Sequence, residues 1–166
     1  MPATRREFAE LCLRAMALPA FAAWLDGEPQ QYTPKFFDGE DFEALQSVTE
    51  ILIPTDDTPG AREARCAEFI DFLLYASSED PHMQSTWRKT MSSLRELGFH
   101  RGGPEARAKL VAALAHQDHS AFHLIKQLNT FAFYTSRAGQ IDALDYRGMS
   151  YNVTFPGCTH PEHKIV

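Results

Sequence analysis

From Asp38 to Leu144 the apolar residues recur, stretch after stretch, at the spacing of one helix face, and each stretch is closed by a residue that breaks a helix. Asp38 is a good N-cap with Asp41 three residues on, and Phe42, Leu45, Val48, Thr49 and Leu52 form one face until Pro54 ends it. PTDDTPGAREA then reads as punctuation. Thr58 can cap and Pro59 suits a first turn, so a second helix is expected to run through GAREARCAEFIDFLLYASS with Cys66, Phe69, Ile70, Leu73 and Leu74 inward. A third follows Pro81 with Met83, Trp87, Met91 and Leu94 inward and Gly98 as its stop. A fourth starts at Pro104 and buries Leu110, Val111 and Leu114. A fifth begins near Asp118–Ser120, carries Leu124, Ile125, Leu128, Phe131 and Ala132, and ends by Gly139. No helical period survives beyond Leu144, and DYRGMSYNVTFPG alternates weakly among Gly, Pro and β-formers. The expected fold is all-α, about five to six helices in one domain over 38–144, with an extended irregular C-terminal arm over 145–166.

A chain of 166 residues with 44% hydrophobic and 23% charged residues can bury an ordinary core without staples. Its net charge of −6 and its lack of a Lys/Arg run argue against nucleic acid as a partner. Cys12, Cys66 and Cys158 lie far apart with no C-x-x-C pair, which argues against zinc-ribbon and thioredoxin-like chemistry. No apolar run approaches the roughly 20 residues of a membrane span. No dinucleotide fingerprint, P-loop, nucleophile elbow or haem-attachment motif occurs, so no cofactor is expected in this chain.

Residues 1–30 read in two ways. Thr4-Arg5-Arg6-Glu7-Phe8 matches the twin-arginine export pattern, with Arg5, Arg6 and Phe8 as its elements, followed by the weakly apolar LCLRAMALPAFAAWL. Glu10 and Arg14 interrupt that region. The competing reading is a retained amphipathic helix with Phe8, Leu11, Cys12, Ala15 and Leu18 on one face.

The tail YNVTFPGCTHPEHKIV sets Cys158 beside His160 and His163, residue types that ligate zinc. His116, His119 and His123 would share a helix face only if the helix ran unbroken through Asp118. A small metal-binding enzyme or sensor centred on Cys158, His160 and His163 is therefore one functional reading. A thiolate nucleophile at Cys158 would need a rigidly held histidine and a cleft, and the Pro/Gly-rich arm suggests neither. A structural tail and surface histidines are the plainer account.

Three stretches acquire meaning together: TEILIPTDDTPGAREA (49–64) with FID at 69–71, FAFYTSRAGQIDALDYRG (131–148), and FPGCTHPEH (155–163). With the twin-arginine-like start, they resemble the gluconate 2-dehydrogenase subunit 3 family, from about residue 40 to the end. The resemblance implies a non-catalytic small subunit that binds, matures and escorts for export a large FAD-dependent catalytic subunit. That partner would be a sugar or glucoside dehydrogenase of the glucose–methanol–choline type, and a cytochrome c is a candidate electron acceptor in the assembly. No catalytic residue, metal or cofactor is then expected in this chain, FAD is expected in the partner, and the location implied is periplasmic rather than cytoplasmic.

The arm suits that role on physical grounds. Tyr146, Met149, Tyr151 and Phe155 supply aromatic and soft apolar anchors, and Pro156 and Pro161 pre-stiffen the strip that carries His160 and His163. Cys158 would be available for an intersubunit disulfide in an oxidising compartment. The turn LIPTDDTPGA has two readings, a helix connection capped by Asp56, Asp57 or Thr58, or a partner contact. Tyr134, Ser136 and Arg137 could likewise be only the polar end of the fifth helix.

Overall fold

At Asp38 the backbone is extended, with ψ at 171°, and its carboxylate accepts the Asp41 N–H at 2.8 Å. One of the donors that every helix start leaves open is thereby satisfied. The computed structural model describes residues 32–117 and 119–146. Its α-helices are α1 Gly39–Leu52, α2 Cys66–Ala76, α3 Pro81–Glu96, α4 Pro104–Gln117 and α5 His119–Thr135. A 3₁₀ turn, Phe99–Arg101, joins α3 to α4, and a π-helical turn, Ala138–Ala143, follows α5. Among the described residues there is no strand, and the chain is all-α as its periodicity predicts. The expected N-terminal segment 1–30 and the arm beyond Tyr146 lie outside the described residues.

α1 and α5 form the centre. Each packs against α2, α3 and α4 as well as against the other, and α5 also carries the π-helical turn. The core is built from the expected stripes: Leu45 and Val48, then Ile70, Leu73 and Leu74, then Trp87, Met91 and Leu94, then Ile125 and Leu128. Burying each such side chain is worth about 1.5–3 kcal/mol. On α4 only Val111 of the expected three is fully buried; Leu110 and Leu114 pack half-buried against the core, as does Leu52 on α1. Phe99, from the 3₁₀ turn, is fully enclosed although it belongs to no helical stripe. Gly98 stops α3 as expected, at φ 82°, a left-handed conformation that costs glycine nothing.

The segment before α1 is tied down by one side chain of α2. Asp71, wholly buried, accepts the backbone N–H groups of Lys35 (2.7 Å), Phe36 (3.1 Å) and Phe37 (2.9 Å) and the Tyr32 hydroxyl at 2.6 Å. A buried carboxylate is tolerable only with its lone pairs filled in this way. Phe36 and Phe37 are thereby held in the core, where Phe37 meets Trp87 at 6.3 Å and the Arg88 guanidinium lies 4.2 Å over the Phe36 ring. Burial, and next the bond to Asp71, push the Tyr32 phenol well above its ordinary pKa.

One helix boundary differs from expectation. α2 starts at Cys66, not at Pro59–Gly60, because residues 61–65 form turns and Arg65 sits at φ 56° as a left-handed break. The fifth helix ends by Gly139 as expected, at Thr135, and Gly139 lies buried inside the π-helical turn, which carries the chain on to Ala143.

Candidate docking face

The connection from α1 to α2 is an exposed loop locked by carboxylates from both sides. Pro54 cannot extend α1, and the Ala61 N–H returns to the Ile53 carbonyl at 2.8 Å to close the loop. From α1, Glu50 accepts the N–H groups of Thr55 (2.9 Å) and Arg62 (3.0 Å). From the far side, Glu63 accepts the Gly60 N–H at 3.1 Å. The Thr55 hydroxyl sits between the two, 2.8 Å from Glu50 and 2.7 Å from Glu63. That hydroxyl, and then the backbone, hold the Glu63 carboxyl below its usual pKa. Gly60 makes the closure possible, since a Cβ there would collide with the Thr55 nitrogen and lie 2.6 Å from its hydroxyl and 2.7 Å from the Pro54 carbonyl carbon.

Within the loop Asp56 accepts the Thr58 N–H at 2.9 Å and its hydroxyl at 3.0 Å, which depresses the Asp56 pKa. Asp56 and Thr58 therefore cap each other and not α2, whose start has no side-chain cap. This corrects the reading of the turn as the cap of the next helix. Pro54, Thr55, Asp56, Asp57 and Thr58 all face solvent on a backbone held by side chains of the flanking residues.

The second structure is the end of α5. Thr135 and Ser136 both bond back to the helix, to the Phe131 and Phe133 carbonyls at 2.7 Å each. The Ser136 hydroxyl also accepts the Gly139 N–H at 3.0 Å, which draws the chain close over Phe133. A Cβ on Gly139 would strike the Phe133 carbonyl oxygen and stand 2.8 Å from its carbon. The Gln140 side chain then bonds the Tyr134 carbonyl at 3.0 Å, and the Tyr146 N–H bonds the Gln140 carbonyl at 2.8 Å. Asp145, at φ 48°, makes the final bend. Ser136 is thus a buried hinge pin, while Arg137 is exposed.

This folding turns large apolar groups outward. Tyr134, Ile141, Leu144 and Tyr146 are 48%, 40%, 58% and 47% exposed, four of the six large hydrophobics that are exposed among the described residues. They are concentrated within one stretch tied together by hydrogen bonds, a cluster of exposed apolar groups, termed the shelf, of a kind suited to a protein partner. Tyr146 is the one expected partner-binding residue that falls within the described chain, and it stands at the shelf's edge. Met149, Tyr151, Phe155, Pro156, Cys158, His160 and His163 lie outside the described residues, as do Arg5, Arg6 and Phe8.

Tyr134, read in the sequence with two possible roles, misses the inward face of α5 and is exposed. Ile141 and Leu144 were not expected as contacts; they lie in and just after the π-helical turn. The histidine set is divided, with His116 exposed on α4 and His123 exposed on α5. Among the described residues no three His, Cys, Asp or Glu side chains are placed to share a metal ion. Cys66 is a core residue, its thiol 3.8 Å from the Asn129 carbonyl and its pKa pushed up chiefly by burial.

No helix among the described residues is long and apolar enough to cross a membrane. No curated protein and no solved structure matches the chain. A family profile described as gluconate 2-dehydrogenase subunit 3 matches residues 39–157, which takes in all five helices, the locked loop and the shelf. The profile spans most of the sequence, and the chain therefore belongs to the gluconate 2-dehydrogenase subunit 3 family.

Proposed function

We propose that this chain is the accessory small subunit of a flavin-dependent dehydrogenase acting on the CH–OH groups of a sugar or glucoside. It docks on the FAD-bearing large subunit, assists its maturation, stabilises it and, through its twin-arginine-like start, escorts it to the periplasm. Catalysis and FAD belong to the large subunit, which passes electrons to an acceptor of the cytochrome c kind. The observation that carries the reading is the apolar shelf of Tyr134, Ile141, Leu144 and Tyr146, from which residues 147–166 continue. Family membership supports the presence of a larger dehydrogenase partner. Apolar and aromatic groups clustered at a rigid turn are the kind of anchors on which binding energy concentrates.

The test is co-expression with the flavin-bearing chain. The intact subunit should co-purify with it in fixed ratio and with flavin colour. A chain ending at Tyr146 should keep its helicity and lose the complex. Leu144→Asp, on an exposed position, should weaken the complex about tenfold or more. A complex that survives both changes, or a lone subunit that oxidises a sugar unaided, would overturn the proposal.

A further inference from the structure

Residues 32–37 stand outside the stretch that the family profile matches, which begins at residue 39, yet they are built into the core. Phe36 and Phe37 are buried, and the three consecutive N–H groups of Lys35, Phe36 and Phe37 are all donated to Asp71 on α2. Tyr32 closes this strap at its outer end, with its hydroxyl on the same carboxylate and its ring 5.6 Å from that of Phe42 on α1. The Lys35 side chain is held as well, its ammonium 5.4 Å from the centre of the Phe72 ring and 5.6 Å from that of Tyr75. With Arg88 of α3 lying over Phe36, the strap is fastened to three helices. The twin-arginine-like segment of the sequence precedes it directly.

We propose that residues 32–37 set the limit of N-terminal processing: a peptidase that removes the segment ahead of the domain cuts before Tyr32, and folding closes the peptide bonds beyond. The proposal deepens the export reading, on which it rests for its purpose, by fixing where removal must stop.

A protease takes its substrate as an extended strand whose backbone groups pair with the cleft. In the strap those groups are already spent on Asp71, and the side chain that a basic-specific protease would need, Lys35, is laid across two rings. The Lys35–Phe36 bond is therefore cut only after the strap opens. Opening strips a buried carboxylate of four donors at once and brings Phe36 and Phe37 into water. A cut ahead of Tyr32 disturbs none of these contacts. A cut beyond it leaves Asp71 without its donors and should lower the folding equilibrium constant by about a hundredfold. The two sides of Tyr32 thus differ in whether the released domain is whole.

The experiment uses the isolated full chain and trypsin. Asp71→Asn should speed cleavage after Lys35 by about tenfold or more and leave cleavage after Lys126, exposed on α5, unchanged. Should Asp71→Asn open every site alike, Tyr32→Phe decides, since it spares the three backbone bonds; it should speed the cut after Lys35 about threefold and the cut after Lys126 not at all. Equal rates after Lys35 in the parent and in Tyr32→Phe would overturn the proposal. In a second arm, a specific protease recognition sequence is inserted between Gln31 and Tyr32 of the full chain. Cutting there should move the thermal midpoint by no more than about 2 °C, and a larger fall would place the start of the folded unit earlier and overturn the proposal. Neither measurement involves export or the partner, so failure here and failure of the export reading are told apart.

Discussion

Asp71 is a charged residue at the centre of an apolar helix face, and its four hydrogen bonds explain why it can stay there. Asp71→Asn replaces one acceptor oxygen by a donor group that faces N–H groups already in place. It should cost about 2–4 kcal/mol in chemical denaturation, the range for leaving buried donors unsatisfied. An unchanged midpoint would mean that the 32–37 segment is not held by this carboxylate. Tyr32 gives a second reading of the same contact. Its folded pKa is raised, so its contribution is complete below the ordinary tyrosine value of about 10 and is lost as pH rises toward the folded value. Between those limits stability should fall by about 1.4 kcal/mol per pH unit from this group. Tyr32→Phe should flatten that alkaline slope, at the expense of about 1 kcal/mol at neutral pH for the lost hydrogen bond. A slope identical in both proteins would sink the assignment.

The two tight turns make their predictions at the scale of elements. Gly60→Ala and Gly139→Ala should each lower stability by about 1–3 kcal/mol in thermal unfolding, because backbone atoms, not mobile side-chain ends, occupy the space a Cβ needs. Gly39→Ala is the control, with nothing within 4 Å of its Cβ, and should stay within about 0.5 kcal/mol. If all three behave alike, the close approaches are not real. The same elements mark how far the sequence could be read. Periodicity locates all five helices and almost all of their inward residues, because a helix face is written in spacings of three and four. The Asp38 cap and the Gly98 stop are equally local and equally legible. The start of α2 is not, because the donors near it are claimed by Glu50, a residue on the preceding helix, and by Glu63 from beyond the loop. Nor could spacing alone show that Asp71 reaches 34 to 39 residues back along the chain. The shelf was half visible. Tyr146 stood out, but Ile141 and Leu144 gain their exposure only from the π-helical turn, which no periodicity announces.

For the whole molecule, the resemblance of three short stretches was a sound guide to family, and the structure gives two of them physical content as the locked loop and the shelf. The third contains Cys158, and a prediction attaches to it. If Cys158 bridges to the large subunit in an oxidising compartment, non-reducing electrophoresis of the complex should show a heavier band that disappears with reductant and with Cys158→Ser. Bands of separate subunits alone would exclude the bridge. Cys66 should not confuse the result, since its buried, protonated thiol reacts only when the core opens.

The π-helical turn has one more implication, which concerns length and not composition. Each residue added to or taken from a helix rotates everything downstream by about 100°. Deleting one residue between Ala138 and Ala143 would change that phase, disturb the close approach of Gly139 to Phe133 and its bond to Ser136, and move Leu144 and Tyr146 relative to α5. A protein so altered should keep most of its helical signal, melt lower than its parent and bind its partner poorly. Natural variants of this segment should therefore tolerate exchanges of residue far better than a change in their number.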